Sequence, residues 1–320
     1  MTRSFPHAFA AGLARAGRSW RVVLLLWAVN LAVALPFAAA VAGEIRGSLG
    51  HSRVHRDLLA GFDAGWHGEL QAEAGALGKT FGPELLGAGA FFENLERWWR
   101  GGLLAAPPAL VAAGLLYAAV WAFLLGGVLE RLVRPGAGPV GSGDRPGAAG
   151  FFAACGRHAF RFLRLALLAA VFYWLIYRLA RAGFGALEDA TRDVTSERTV
   201  LLWVLAGAAL TVLLLALVRV VFDYAKIAVV ARGRRSALAA AWAGARFVAA
   251  RPFATLGLYG AFALLGALLL ALFALLPPFT GVATWPTVVL AALVGQLALA
   301  TKLALRLALL GAETFLFTAR

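Results

Sequence analysis

Residues 252–301 read PFATLGLYGAFALLGALLLALFALLPPFTGVATWPTVVLAALVGQLALAT, fifty positions without an Asp, Glu, Lys or Arg. As a single helix rising about 1.5 Å per residue the stretch would be about 75 Å long, more than twice the roughly 30 Å of a bilayer's hydrocarbon core. It therefore holds two crossings. The break is expected at Pro277-Pro278-Phe279-Thr280-Gly281, with Pro286 placed to open the following helix.

The same reading extends outward. Val22–Gly43, Gly101–Leu129 and Thr199–Val218 are uncharged runs of 22, 29 and 20 residues. Each is long enough to cross as a helix. Of the 320 residues, 62% are hydrophobic and 14% charged, and the mean hydropathy is +0.80. Soluble domains hold about 45–50% apolar residues, so a soluble enzyme, a disordered chain and a collagen are all excluded. The third span is the short one. Between Arg164 and Arg178 only 13 residues, Leu165–Tyr177, are uncharged. That is about 20 Å. Arginine stems reach the interface from inside a span, so a crossing from about 160 to 182 is expected, with Trp174 and Tyr177 near the outer headgroups.

Charge alternates along these spans. The tail 1–21 carries four Arg and no acid, the 44–100 loop six basic and eight acidic residues, and the 130–164 loop six and two. The 183–198 loop holds two basic and four acidic residues, and the 219–251 loop seven and one. Basic residues collect in cytoplasmic connections, so the alternation gives six spans with both termini cytoplasmic and the 44–100 loop extracytoplasmic. Without the third span the basic 219–251 loop would lie outside. The net charge of +14, from 30 Lys+Arg against 16 Asp+Glu, is thus a membrane-topology signal, and nucleic acid is not an expected partner. Arg15, Arg18 and Ala40-Val41-Ala42 imitate a signal peptide. The apolar stretch exceeds the 7–15 residues of a signal h-region, so an uncleaved first span is expected. Only Lys79, Lys226 and Lys302 are lysines. That Arg excess, with heavy Ala, Gly and Leu use, reads as a GC-rich bacterial genome and an inner-membrane location. Cys155 is the sole cysteine, which rules out an internal disulfide and any Cys/His zinc spacing.

The chain reads as one integral membrane domain, 1–320, with an internal echo. At an offset of 87, Ala153, Ala154, Phe160 and Arg164 fall on Ala240, Ala241, Phe247 and Arg251. Phe151, Cys155 and Phe162 fall on Leu238, Trp242 and Ala249, one stripe of an amphipathic helix. Residues 102–182 and 199–277 are therefore candidate parallel repeats, each with an interfacial amphipathic helix that turns into the next span.

A span ending Val220-Val221-Phe222-Asp223-Tyr224-Ala225-Lys226-Ile227 leads to a Gly-Arg-Arg-Ser turn at 233–236 and an Ala/Arg helix. Over roughly 100–310 this resembles bacterial multi-pass membrane proteins of unknown function. It is also similar to the membrane domain attached to some glycerophosphodiester phosphodiesterases. The catalytic part of those enzymes is a soluble barrel of typically about 250 residues. The longest extramembrane segment here, Glu44–Arg100, has 57. The resemblance therefore implies a membrane part without the catalytic domain, and no catalytic residue carries over.

Candidate site residues follow from charges at the ends of spans. Arg219 and Asp223 are spaced i, i+4 and share a helical face, with Lys226 one turn on. Lys302 and Arg306 share a face of the last helix, with Glu313 two turns beyond. From Pro286 to Ala319 that helix would be about 51 Å long, so its end is expected to tilt or to bend near Gly311. Arg219, Asp223, Lys226, Lys302, Arg306 and Glu313 are candidates for a lipid-phosphate or structural polar cluster, with membrane lipids, anionic ones included, as partners. In the first loop His51 and His55 at i, i+4, with His67 beyond, have metal-ligand spacing. No His-Glu-x-x-His is present, and Leu59, Phe62, Trp66 and Leu70 make an apolar stripe, so solvated histidines on an amphipathic helix are expected and no cofactor is. Phe91, Phe92, Leu95, Trp98 and Trp99 read as an aromatic anchor before the second span. Pro36 in the first span and Pro107 and Pro108 in the second are expected to kink their helices. No Gly-x-Ser-x-Gly occurs, and the glycines of Pro135–Gly150 lack a P-loop lysine, so that stretch reads as a linker. The expected function is a non-enzymatic lipid-interacting or partner-binding membrane component, with a permease subunit as the alternative.

Overall fold

A computed structural model describes residues 5–50, 63–75, 77–81, 108–134, 148–275 and 284–318. These residues form nine α-helices, α1 (Phe5–Arg18), α2 (Trp20–Leu49), α3 (Ala64–Glu73), α4 (Pro108–Val133), α5 (Ala148–Thr191), α6 (Glu197–Arg232), α7 (Ala237–Ala250), α8 (Pro252–Leu275) and α9 (Trp285–Thr318), plus a 3₁₀ turn at Gly78–Thr80. Among the described residues there is no strand. The helices α2, α4, α5, α6, α8 and α9 are long and apolar enough to cross a membrane, so the chain is an all-α multi-pass membrane protein with six candidate spans. The proline-rich break at 277–281 lies outside the described residues, between α8 and α9.

Three boundaries differ from the sequence expectation. The tail 1–21 contains a helix, α1, whose small residues Ala8, Gly12 and Ala16 recur every four positions and are buried. Pro107 lies outside the described residues. Pro108 opens α4 instead of kinking it, because at a first helical position the missing N–H has no partner to lose. The third span is not preceded by a turn. Amphipathic segment, span and the start of the next connection form the single 44-residue α5. No proline interrupts it, whereas Pro252 separates α7 from α8 in the corresponding place.

The chain divides into two compact units, the first built from residues 1–15, 119–261 and 308–320. In this unit α6 ends at Gly233, whose φ of 63° is the left-handed conformation that favours glycine, and the Ser236 hydroxyl caps α7 by accepting from the Ala239 N–H at 3.3 Å. The Gly-Arg-Arg-Ser segment is thus the turn. It lays Ala240, Ala243, Gly244 and Val248 of α7 toward α6. A Cβ on Gly244 would collide with the Val221 carbonyl and lie 2.9 Å from the Ala225 nitrogen. Gly126 and Gly127 of α4 meet α5 in the same way, where Cβ atoms would lie 3.0 Å from the Cys155 Cα and 2.8 Å from its Sγ. Small residues let helix backbones approach, the usual device where lipid supplies no hydrophobic drive between helices. Gly12 does the same against Ala308 and Ala312 of α9, and Arg15 donates to the Gly311 carbonyl and the Thr314 hydroxyl, each at 3.0 Å. Gly311, where a bend was expected, sits within an uninterrupted helix and receives α1.

The second unit comprises residues 16–118 and 262–307. Its spans α2 and α9 are joined by the Trp27 indole donating to Gln296 Oε1 at 2.9 Å. At the far end of α2 the first loop folds back. Asp63 caps α3 by accepting from the Gly65 and Trp66 N–H groups, and Trp66 and Leu70 of the predicted stripe are buried. The Trp66 indole donates to Ser48 Oγ at 3.1 Å and the Gly75 N–H to Glu44 Oε2 at 2.8 Å. Loop and span are thereby pinned together. The aromatic anchor 91–99, like Leu59 and Phe62, lies outside the described residues.

The two amphipathic segments of the candidate repeat bury different positions. Ala154, Cys155, His158 and Phe162 are buried in the first, and Ala240, Ala243, Gly244 and Val248 in the second. At the offset of 87, buried Cys155 corresponds to Trp242, which is 66% exposed.

Candidate functional site

The last four turns of α6 carry Arg219, Asp223 and Lys226 on one side. Asp223, only 6% exposed, is the hub: Lys226 Nζ donates to its Oδ1 at 2.7 Å, and Arg219 Nε lies 3.8 Å from its Oδ2. Here the i, i+3 lysine makes the tighter contact, and the i, i+4 arginine expected from the sequence stands farther off. Glu313 of α9 enters from 90 positions downstream and is 1% exposed. It interacts electrostatically with Asp223, Lys226 and Arg219, so α9 contributes a second carboxyl to a site built on α6. Asp223 is thus paired through both oxygens, and the pairing matters because an unpaired charge taken from water costs several kcal/mol. Among the described residues, the Glu313 Oε2 and Tyr224 hydroxyl oxygens are buried with no hydrogen-bond partner.

An aromatic layer borders this cluster. Tyr224, Phe247 and Phe317, from α6, α7 and α9, form a ring contact triangle with centroid distances of 4.7, 5.0 and 6.2 Å. Arg232 lies 4.6 Å over the Phe317 ring and Arg251 5.5 Å over Phe247. Each arginine faces a π-surface, an arrangement that tethers a cation without spending a carboxylate on it.

A second polar cluster went unread in the sequence. Glu130, at the end of α4, accepts from Arg134 Nη1 at 3.0 Å through Oε1 and pairs through Oε2 with His158 Nε2 of α5, also at 3.0 Å. His158 is 4% exposed and its ring stacks on Phe162 at 5.8 Å. Cys155, one turn back, points its Sγ at the Leu124 carbonyl, 3.7 Å away. The signal was available. His158 falls three residues after Cys155 and four before Phe162, on the predicted apolar stripe, and a histidine on such a stripe needs a buried partner.

Lys302 and Arg306 belong to the second unit, whereas Arg219, Asp223, Lys226 and Glu313 belong to the first. Lys302 lines a cavity of about 400 Å³ between α8 and α9. His51 and His55 lie outside the described residues, and His67 Nε2 meets the Phe81 carbonyl at 3.0 Å. Among the described residues, no group of three or more His, Cys, Asp and Glu side chains is placed to hold a metal ion. The chain matches no family model, no curated protein and no solved structure.

Proposed function

We propose that the chain is a non-enzymatic component of a bacterial inner membrane, built to hold lipids or a partner protein, with both termini and the arginine-rich connections in the cytoplasm. One observation carries this reading: ionisable side chains are gathered at the ends of the spans, while the middles of the spans turn apolar side chains outward. In α6, Leu201, Leu202, Trp203, Leu205, Leu210 and Val212 are all exposed, and the charged hub begins only at Arg219. A permease would need charged or polar groups facing a wet midplane path, because charges at depth persist mainly where they line one. The groups here instead neutralise one another beside a basic rim, and basic rims attract the anionic inner leaflet at about 1 kcal/mol per cation.

The test is native mass spectrometry of the full chain extracted in a mild detergent, with a flux assay on the same preparation in proteoliposomes. Retention of anionic phospholipid or of a defined partner supports the reading. A preparation that retains neither, or one that carries a solute across the vesicle wall, overturns it.

A further inference from the structure

Glu313 is 1% exposed, and it is the acid that the cations of the α6 cluster leave over. Lys226 Nζ stands 2.7 Å from one oxygen of Asp223 and Arg219 Nε 3.8 Å from the other, so both cations are taken up by the shorter side chain. Among the described residues no salt bridge reaches Glu313, and its Oε2 is buried without a hydrogen-bond partner.

The other groups packed around it bring no counter-charge to the carboxyl. Arg15 of α1 donates to the Gly311 carbonyl and the Thr314 hydroxyl instead. Arg251, at the end of α7, lies over the Phe247 ring. Tyr173 of α5 and Tyr259 of α8 interact with Arg219, and Tyr224 of α6, whose hydroxyl is also buried without a partner, with both acids. An ionised Glu313 would therefore be a second anion beside Asp223, stripped of water and with no donor for Oε2. Burial and like charge both disfavour that state, and a carboxyl escapes both by keeping its proton. This holds at any depth in the bilayer, because the side chain is enclosed by protein and hydrocarbon around the bundle only adds to the penalty.

We propose that Glu313 is a proton-binding site, occupied at neutral pH, and that its proton keeps α9 seated on α6. Release of the proton to water leaves anions on the two facing helices, with Lys226 and Arg219 already engaged by one of them, and their repulsion pushes α9 away from α6. The inference goes beyond lipid or partner binding and gives the chain a response to acidity.

The test is infrared spectroscopy of the full chain in detergent at neutral pH, which reads the carbonyl stretch of a protonated carboxylic acid. The band is expected in the parent, absent from Glu313→Gln, and unchanged in Glu130→Gln, which removes the other buried glutamate. Should Glu313→Gln fail to fold, glutamate isotopically labelled at its side-chain carboxyl is expected to shift the band of the parent, which labelled aspartate does not. Unfolding supplies a second readout. A proton held by the folded chain and given up by the unfolded one stabilises the fold less as pH rises, so above the ordinary glutamate range the folding equilibrium of the parent is expected to fall by about tenfold per pH unit relative to Glu313→Gln until the band is lost. The site is refuted if the parent shows no such band, if Glu313→Gln keeps it, if labelled glutamate does not move it, or if parent and Glu313→Gln share one pH slope.

Discussion

His158 Nε2 and Glu130 Oε2 stand 3.0 Å apart in a buried position, although 28 residues separate them in the chain. The contact ties the end of α4 to the start of α5 across a connection of which residues 135–147 lie outside the described structure. His158→Ala leaves the Glu130 carboxyl with Arg134 alone, and a cost of about 1–3 kcal/mol is expected. The double replacement Glu130→Leu with His158→Phe is expected to recover most of that loss, because it leaves no buried group unpaired and Arg134, whose side chain is 36% exposed, turns to water. Denaturation of the purified chain in detergent reads both, and a double variant as weak as His158→Ala would contradict the pairing.

Gly244 and Gly156 are both helical glycines with opposite surroundings. The first is pressed against Val221 and Ala225, and nothing lies within 4 Å of a Cβ on the second. Gly244→Leu is therefore expected to destabilise by about 1–3 kcal/mol or more through overpacking, and Gly156→Ala to stabilise by about 0.5–1 kcal/mol through helix propensity. Thermal melts of the two variants beside the parent decide it.

Asp223 and Glu313 are also expected to respond differently. Asp223→Ala strands Lys226, which now donates to it at 2.7 Å, and is expected to cost about 2 kcal/mol. Glu313→Gln keeps the shape of a side chain whose Oε2 has no hydrogen-bond partner, and less than about 1 kcal/mol of loss, or a small gain, is expected. Reversal of this order in denaturant unfolding would mean that Glu313, not Asp223, is the hub.

Topology has a direct check. In a Cys155→Ala background, cysteines introduced at Glu188 and Arg234 are expected to react from opposite faces with a membrane-impermeant maleimide, the first on intact cells and the second only after permeabilisation. Labelling of both from one side would contradict six crossings.

The spans were readable because their signal is one-dimensional. Absence of charge over 20 residues needs no knowledge of neighbours, and even the short third span, Leu165–Tyr177, lies within a real helix. The Gly233 to Ser236 turn was legible for the same reason, since backbone conformation and capping are local. What escaped depends on distant pairs. Helix α1 is short and rich in Ala, and its purpose appears only when Gly12 meets Ala308 and Ala312. Glu313 could be named as a charge near an interface, but its place beside Asp223 belongs to the packing of α9 on α6. Lys302 and Arg306 looked like neighbours of that cluster because sequence distance along α9 says nothing of which unit a turn joins.

An unbroken α5 of about 66 Å also has a mechanical meaning. Its hydrogen-bond ladder runs unbroken from Ala148 to Thr191, so the end packed against Gly126 and Gly127 and the opposite end are parts of one rod. The α7–α8 pair is instead interrupted at Arg251 and Pro252, which leaves one continuous arm and one divided arm in the same molecule.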